Sequence, residues 1–190
     1  MMTFRLEDSI IAFAGFRTTP IADVESFLED LNKLSEITST EIVALAANSV
    51  YSWRVLLRAT AAALRAFKRG RNIARKLSLE VMLNLSGSRQ IREAIKECGL
   101  RKGASSIVIL IIARDPSLCT KVHDLLVTKY KLVEDPSVLN PSSGKARAMI
   151  LKLGISEKAI KASRINGDES LEELVEKFLL SRIAMLELQR

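Results

Sequence analysis

Three short apolar segments of the chain have the character of buried β-strands. Residues 9–17, SIIAFAGFR, are rich in Ile and Phe and end at a TTP turn, and Glu41 to Ala47 form a second candidate. Residues 105–113, SSIVILIIA, are the clearest case, because this apolar run is flanked by polar residues and is too short for a buried helix. The pattern predicts a small sheet with the strand at 105–113 at its centre.

Helical spacing of apolar residues predicts two long helices in the first third of the chain. Pro20 suits the first turn of one helix. The apolar face of this helix is formed by Val24, Phe27, Leu28, Leu31 and Leu34. Ser49 is the expected N-cap of the second helix, which runs to Lys68 or Arg69 and is closed by Gly70.

Residues 77–87, LSLEVMLNLSG, fit two patterns. Their leucines alternate as in a strand, whereas Ser78 offers a helix cap, and we favour a short helix. Ser88 then caps a helix over 89–97, whose inward-facing residues are expected to be Ile91, Ala94 and Ile95.

Two Pro-containing dipeptides mark helix starts in the second half of the chain. Asp115-Pro116 opens a helix whose expected buried face is Leu118, Val122, Leu125 and Leu126. Asn140-Pro141 repeats the signal for a helix that ends near Gly154.

The last helix opens with a capping box from Ser170 to Glu173. Its apolar positions are Leu171, Leu174, Val175, Phe178, Leu179, Ile183 and Leu186. Together the elements predict an α+β (mixed α/β) fold, in which a small, mainly antiparallel central sheet is flanked by helices in a single domain over residues 1–190.

The basic residues are concentrated in one segment. The net charge is +7, and between Ile42 and Leu79 there is no Asp or Glu but eight cations: Arg54, Arg58, Arg65, Lys68, Arg69, Arg71, Arg75 and Lys76. The rest of the chain is therefore close to neutral. Such a patch attracts polyanions with an affinity that salt weakens. The alternative is a solvated helix face whose Lys and Arg side chains cover apolar neighbours.

The chain has few residues that could carry catalysis. His123 is the only histidine, and Cys98 and Cys119 are the only cysteines. The histidine lies beside the apolar face of a helix, where a partly buried or surface role is expected, and neither cysteine has a base to form a nucleophilic pair. No metal-ligand spacing or phosphate-binding glycine motif occurs. We expect no catalytic residue, metal, cofactor or small-molecule substrate.

Cysteine use and hydropathy predict a cytoplasmic protein without a membrane span. Neither cysteine lies in a CxxC motif, which suits a reducing compartment. The most apolar long stretch, 42–67, is interrupted by Asn48, Arg54, Arg58 and Arg65.

Two features near the basic segment leave alternatives open. Glu80 stands alone among apolar residues, where it either orders an arginine such as Arg89 or is simply exposed. Residues 86–90, SGSRQ, form either a modest anion site or an ordinary capped helix start.

Aromatic residues are few, and Tyr51 and Trp53 suit core packing better than base stacking. Binding of a nucleic acid would therefore rest mainly on phosphate contacts.

Residues 53–103 resemble the kinase-binding subunit of KEOPS, the archaeal and eukaryotic complex that makes N6-threonylcarbamoyladenosine in tRNA. The similarity, of archaeal type, lies in FKRGRN, the SLE step, SGSRQI and the helix closing on CG, followed by the strand IVILII. The closing LEELVEKFLLSRIAMLEL is similar to the C-terminal helix of that family, whereas residues 115–154 match only in pattern.

The resemblance implies a non-catalytic subunit that docks on the atypical kinase subunit of KEOPS, stimulates it and holds the 3′ CCA end of tRNA. The RNA contacts that it implies are Lys68, Arg69, Arg71, Asn72, Arg75, Ser88, Arg89 and Gln90. For the kinase contact it points to the apolar part of the last helix, Phe178, Ile183 and Leu186, for which core burial is the alternative.

This chain departs from the family in one place, because members often carry a histidine in the long helix where it has WRVLLRA. Two other functions stay open at this point. One is a generic RNA-binding domain outside KEOPS, and the other is a small RNA-acting enzyme. The single histidine and the lack of metal spacing favour binding over catalysis.

Overall fold

The computed structural model describes residues 1–156, 159 and 169–189. Within them, five strands form one sheet. The strands are β1 (Met2–Leu6), β2 (Ser9–Arg17), β3 (Glu41–Ala46), β4 (Ser106–Ala113) and β5 (Val133–Glu134). The helices are α1 (Val24–Thr38), α2 (Trp53–Lys68), α3 (Leu77–Ser86), α4 (Ile91–Cys98), α5 (Pro116–Tyr130), α6 (Ser143–Leu153) and α7 (Leu171–Leu188).

The sheet is antiparallel, with the order β1-β2-β4-β3, and the short β5 also pairs with β2. Leu110 of β4 lies opposite Phe13 on one side and Val43 on the other. The strand expected at the sheet centre therefore has a partner on both sides. The predicted α+β class with a mainly antiparallel sheet is confirmed.

The sheet separates two hydrophobic cores, because neighbouring residues of a strand point to opposite faces. Ile11 and Phe13 of β2 face the core that α2, α3, α6 and α7 cover. Ile10 and Phe16 face the core that α1 and α5 cover. The long runs of buried residues in β2 and β4 follow from this double coverage.

The two predicted helix starts in the first third of the chain are wrong. Asp23 caps α1 by accepting a hydrogen bond from the Ser26 N–H at 2.9 Å, so Pro20 lies before the helix. Ser49 ends a short 3-10 turn, Ala47–Ser49, and Ser52 caps α2 instead. Val50 and Tyr51 are buried in between, and this apolar linker delays the helix by three residues.

Later helix starts agree better with the sequence. Asp115 caps α5, and the capping box of Ser170 and Glu173 opens α7, as predicted. Helix α6 begins after Ser142, two residues beyond Asn140. Residues 77–86 are helical, which confirms the favoured alternative, although Lys76 rather than Ser78 occupies the N-cap position.

Several apolar residues predicted to be buried are exposed. Ile91 and Ile95 are 36 % and 47 % exposed, because the short α4 turns Ala94 and Cys98 inward and leaves its outer side in solvent. Helix α4 is capped at Gln90 instead of Ser88. Leu28 of α1 and Leu125 of α5 also face outward.

Candidate RNA and partner-binding surfaces

Helix α7 neutralises the middle of the basic helix α2. The Arg65 guanidinium donates to both Glu187 carboxylate oxygens, at 2.6 and 3.0 Å, and Arg58 donates to Oε2 at 3.0 Å. The hydrogen bond from Arg65 lowers the pKa of Glu187, and the same bond raises the pKa of Arg65. The acids missing from α2 itself are therefore supplied by a helix far along the chain.

Both ends of α2 have carboxylate partners as well. Arg54 Nη1 lies 3.5 Å from Oε2 of Glu176 on α7, and the Arg54 guanidinium stacks over the Trp53 ring. Lys68 donates to Glu7 in the turn between β1 and β2, at 2.5 Å. This hydrogen bond lowers the pKa of Glu7, although both side chains are largely exposed. The arginines of α2 are therefore much less available than the sequence implies, whereas the Lys68 ammonium stays exposed to solvent.

The basic loop, residues 69–76 between α2 and α3, has a different charge balance. Its cations Arg69, Arg71, Arg75 and Lys76 are all exposed, and none forms an ion pair within the described residues. The strongest unbalanced positive charge of the basic segment therefore lies in this loop, next to the exposed ammonium of Lys68.

Buried Glu80 orders the basic loop. Its Oε2 accepts hydrogen bonds from the backbone N–H groups of Ile73 and Ala74, at 2.9 and 2.8 Å. The carboxyl group is fully buried, so the exposed alternative for this residue is wrong. Ala74 in turn packs against Leu83 of α3 and Ala94 of α4.

The remaining predicted RNA contacts lie in the loop and before α4. Asn72 is half-buried and donates to the Ala74 carbonyl at 2.9 Å, which shapes the loop. Ser88 accepts a hydrogen bond from the Gln90 N–H at 3.1 Å, whereas Arg89 and Gln90 are exposed. Among the residues that the structure describes, no side chain caps the first turn of α4. The packing of Ala74 on Ala94 brings the basic loop against the helix that Arg89 and Gln90 precede.

The predicted kinase-contact residues differ in exposure. Phe178 is 41 % exposed, but Ile183 and Leu186 are 2 % and 5 % exposed and belong to the core, which favours the alternative for these two. Met185 and Leu188 are 56 % and 82 % exposed. Phe178, Met185 and Leu188 form what we call the α7 stripe, whose spacing of seven and three residues places them on one side of the helix. The sequence pattern missed two of its three members.

The described residues contain no group of His, Cys, Asp and Glu side chains suited to a metal ion. Burial raises the pKa of Cys98 to about 12, so its thiol stays protonated, and burial also raises the pKa of Cys119. His123 is mostly buried and hydrogen-bonds Glu134 through Nε2 at 2.6 Å.

Among the helices described, none combines the length and apolar character needed to cross a bilayer.

Comparison with known proteins identifies relatives of this chain. The family described as kinase binding protein CGI-121 matches residues 21–187. The KEOPS complex subunit Cgi121 of Pyrococcus abyssi is 38 % identical over 78 residues, an alignment that covers 41 % of this chain and 43 % of the relative. The alignment thus spans less than half of the relative's length.

Proposed function

Because the chain belongs to the CGI-121 family of kinase-binding proteins, we propose that it is a non-catalytic subunit of a cytoplasmic KEOPS complex. In this proposal it docks on the atypical kinase subunit, stimulates that kinase, and holds the 3′ CCA end of tRNA during synthesis of N6-threonylcarbamoyladenosine. One domain, residues 1–190, carries both surfaces. The named relative, a KEOPS complex subunit, supports the assignment to the complex.

The charge balance of the basic segment is the observation that carries the RNA part of the proposal. Arg54, Arg58 and Arg65 are matched by carboxylates of α7, whereas the four cations of the basic loop are exposed without ion pairs in the described part of the chain. Phosphate groups provide the missing negative charge, and arginine binds them through paired hydrogen bonds. The tRNA end is therefore assigned to the basic loop, Lys68 and the start of α4.

The α7 stripe is assigned to the kinase contact. Its three residues expose apolar side chains on a helix whose opposite side is anchored by Ile183 and Leu186 in the core. Exposed Phe, Met and Leu side chains on a rigid helix are typical of a protein-docking surface. Ile183 and Leu186 are buried and cannot touch a partner themselves. Their contribution to docking is to hold α7 in place.

Binding of tRNA with and without its CCA tail tests the RNA assignment. We expect removal of the tail to weaken binding of the full chain. The double variant Arg69→Glu with Arg71→Glu should weaken binding of intact tRNA at least about tenfold, because two phosphate contacts become repulsive. Affinity is measured by filter binding or fluorescence anisotropy at two salt concentrations.

Lys33→Glu with Lys121→Glu is the matched control. Both lysines are exposed on helices at the other face of the sheet, and the double change alters the net charge equally. This control should change the affinity by about twofold or less. Equal weakening by both double variants, or equal affinity for both tRNA forms, would contradict the assignment and leave a nonspecific polyanion binder.

Substitution of the α7 stripe tests the kinase assignment. Met185→Glu with Leu188→Glu should abolish co-purification with the kinase subunit and its stimulation, because charges at an apolar contact are not solvated in the complex. The fold should persist, since both side chains are exposed. Ile37→Glu is the control, because Ile37 is 82 % exposed on α1, at the other face of the sheet. Unchanged kinase binding by the stripe variant would exclude this surface.

A further inference from the structure

A cleft between α4 and α6 lies outside both surfaces proposed above. It has a volume of about 370 Å³, and Tyr51 and Met149 are among the residues that line it. A second cleft of about 370 Å³ adjoins it along Asn48, Glu97 and Arg101. Ligand sites of small molecules have volumes of about 300–1,000 Å³, and the volume of this cleft falls within that range.

The walls of the two clefts are rich in positive charge. Five cations line them: Lys96, Arg101, Lys102, Lys145 and Lys152. Among the described residues, two carboxylates line them, Glu93 and Glu97. Glu97 pairs with Lys152 at 2.9 Å, and Glu93 lies 3.9 Å from Lys96. Arg101, Lys102 and Lys145 have no carboxylate partner in the described residues, so the clefts hold an excess of positive charge.

Lys145 fixes one positive charge in the wall. Its ammonium donates to the backbone carbonyls of Val50, Tyr51 and Val138, so all three of its donors are used by the protein. The side chain is half-buried, and this burial lowers the pKa of Lys145. The carbonyls hold the cation in position without cancelling its charge. An anion in the cleft would supply the negative charge that the protein does not.

Arg101 is positioned to contact such an anion directly. One of its Nη atoms donates to the Lys96 carbonyl at the end of α4, at 2.9 Å. This bond anchors the exposed side chain beside the cleft, and the other guanidinium N–H groups stay available. Arginine held in this way binds phosphate oxygens with a planar pair of donors, which lysine cannot offer.

We propose that this cleft binds a small-molecule phosphate ester of mononucleotide size. Arg101 and Lys102 contact the phosphate in the field of Lys145, and the organic part of the ligand lies over Tyr51 and Met149. The site is separate from the basic loop, so its existence does not depend on the RNA assignment. It also goes beyond the sequence, from which no small-molecule ligand was expected.

Titration of the full chain with adenosine 5′-monophosphate, followed by amide NMR spectra, tests the proposal. We expect saturable shifts confined to residues around the cleft, with a dissociation constant below about 1 mM. Adenosine without phosphate should bind at least about tenfold more weakly, and inorganic phosphate should compete. No saturable shifts, or equal binding of adenosine, would overturn the proposal, and so would cleft shifts with an RNA oligonucleotide but with no mononucleotide.

Four variants locate the binding. Arg101→Glu should weaken the affinity for adenosine 5′-monophosphate at least about tenfold, whereas Lys121→Glu, an equal charge change on α5, should alter it by about twofold or less. Ala148→Trp keeps every charge and fills the cleft that Ala148 lines, so it should also abolish binding. Arg69→Glu with Arg71→Glu should leave binding intact. Loss of binding in that double variant or in Lys121→Glu, or retained binding in Ala148→Trp, would place the ligand elsewhere.

Discussion

Single buried polar groups decide the shape of the basic loop. Glu80 is fully buried, and its Oε2 holds two backbone N–H groups of the loop. Asn84, one helical turn later, donates to the Glu80 carbonyl at 2.8 Å and is buried as well. A buried carboxylate is costly unless it is hydrogen-bonded, so the loop and the carboxylate stabilise each other.

Replacement of Glu80 should loosen the loop before it affects the rest of the fold. We expect Glu80→Ala to lower the free energy of unfolding by about 2–4 kcal/mol, because two buried backbone N–H groups lose their acceptor. Glu80→Gln keeps one oxygen acceptor and should cost less. Hydrogen exchange of the Ile73 and Ala74 amides reports the effect directly. Unchanged exchange of these two amides in Glu80→Ala would contradict the role assigned to the carboxylate.

Sequence reasoning recognised Glu80 as unusual but not what it binds. An acid in an apolar run indicates a specific partner, and an arginine was the natural candidate. Its partners in the basic loop are backbone N–H groups, which every residue possesses and which leave no mark in the sequence. The exposed Ile91 and Ile95 show a related limit, since apolar spacing on a short helix does not say how much of it the neighbours cover.

Helices α2 and α7 are joined by charge as well as by the core. Glu187 is about one fifth exposed and receives hydrogen bonds from both Arg58 and Arg65. Such a partly buried, bidentate pair contributes more than an isolated surface pair. Its strength depends on the ionisation of one carboxyl group, whose pKa the Arg65 hydrogen bond lowers.

The stability contributed by Glu187 should therefore depend on pH in a defined direction. A carboxyl group with a lowered pKa in the folded state stabilises the fold above the pKa of an ordinary glutamate, about 4.3. This stabilisation is lost as pH falls from that value through the lower pKa of the folded state. The difference in unfolding free energy between the unaltered chain and Glu187→Gln should be largest above about pH 5 and shrink toward about pH 3.

Chemical denaturation at a series of pH values measures this difference. Glu36→Gln is the control, because Glu36 is exposed on α1 and forms no ion pair within the described residues. It should shift the unfolding free energy little. A difference for Glu187→Gln that stays constant from neutral to acid pH would exclude the ion pairs as its cause.

At the level of elements, strongly patterned segments were predictable, whereas the weakly patterned edge strand β1 was not. Strand β2 has the predicted bounds, and β4 begins one residue later than expected. Strand β1 was missed, because Met2–Leu6 alternates only half-buried and exposed residues and is stabilised by pairing with β2. Residues 77–86 form a helix although their leucines alternate, since the helix places Glu80 and Asn84 on one buried side.

Charge is distributed unevenly over the whole molecule once the chain is folded. The cations of the proposed RNA surface are Lys68, Arg69, Arg71, Arg75, Lys76 and Arg89. Each cation that neutralises a phosphate of a single strand contributes about −0.7 to the slope of log affinity against log salt. The three arginines of α2 that pair with α7 should contribute little.

The salt dependence of tRNA binding should therefore be moderate. With at most about six contacts we expect a slope no steeper than about −4, and Arg69→Glu with Arg71→Glu should flatten it by about 1.4 or more. Affinity is measured across a range of salt concentrations. A slope much steeper than −4 would indicate that the arginines of α2 also reach the RNA.

The fold class and the family could be predicted from the sequence, whereas the exposed charge could not. The antiparallel sheet follows from local apolar patterns, and the family resemblance rests on motifs between 53 and 103. The number of basic residues in the basic segment could be read from the sequence, but not their ion-pair partners. Its partners Glu176, Glu187 and Glu7 lie about 60 residues or more away along the chain, and only the tertiary fold brings them to α2.

The carboxylates of α7 also compete with any polyanion for the arginines of α2. Glu176 and Glu187 hold the positions on Arg54, Arg58 and Arg65 that a phosphate would otherwise take. A nucleic acid that settled along α2 would have to displace them, so indiscriminate adsorption there is disfavoured. A chain can thus keep a strongly basic helix for packing while its exposed positive charge is confined to the proposed RNA surface. Loss of a single glutamate would extend this exposed charge along α2.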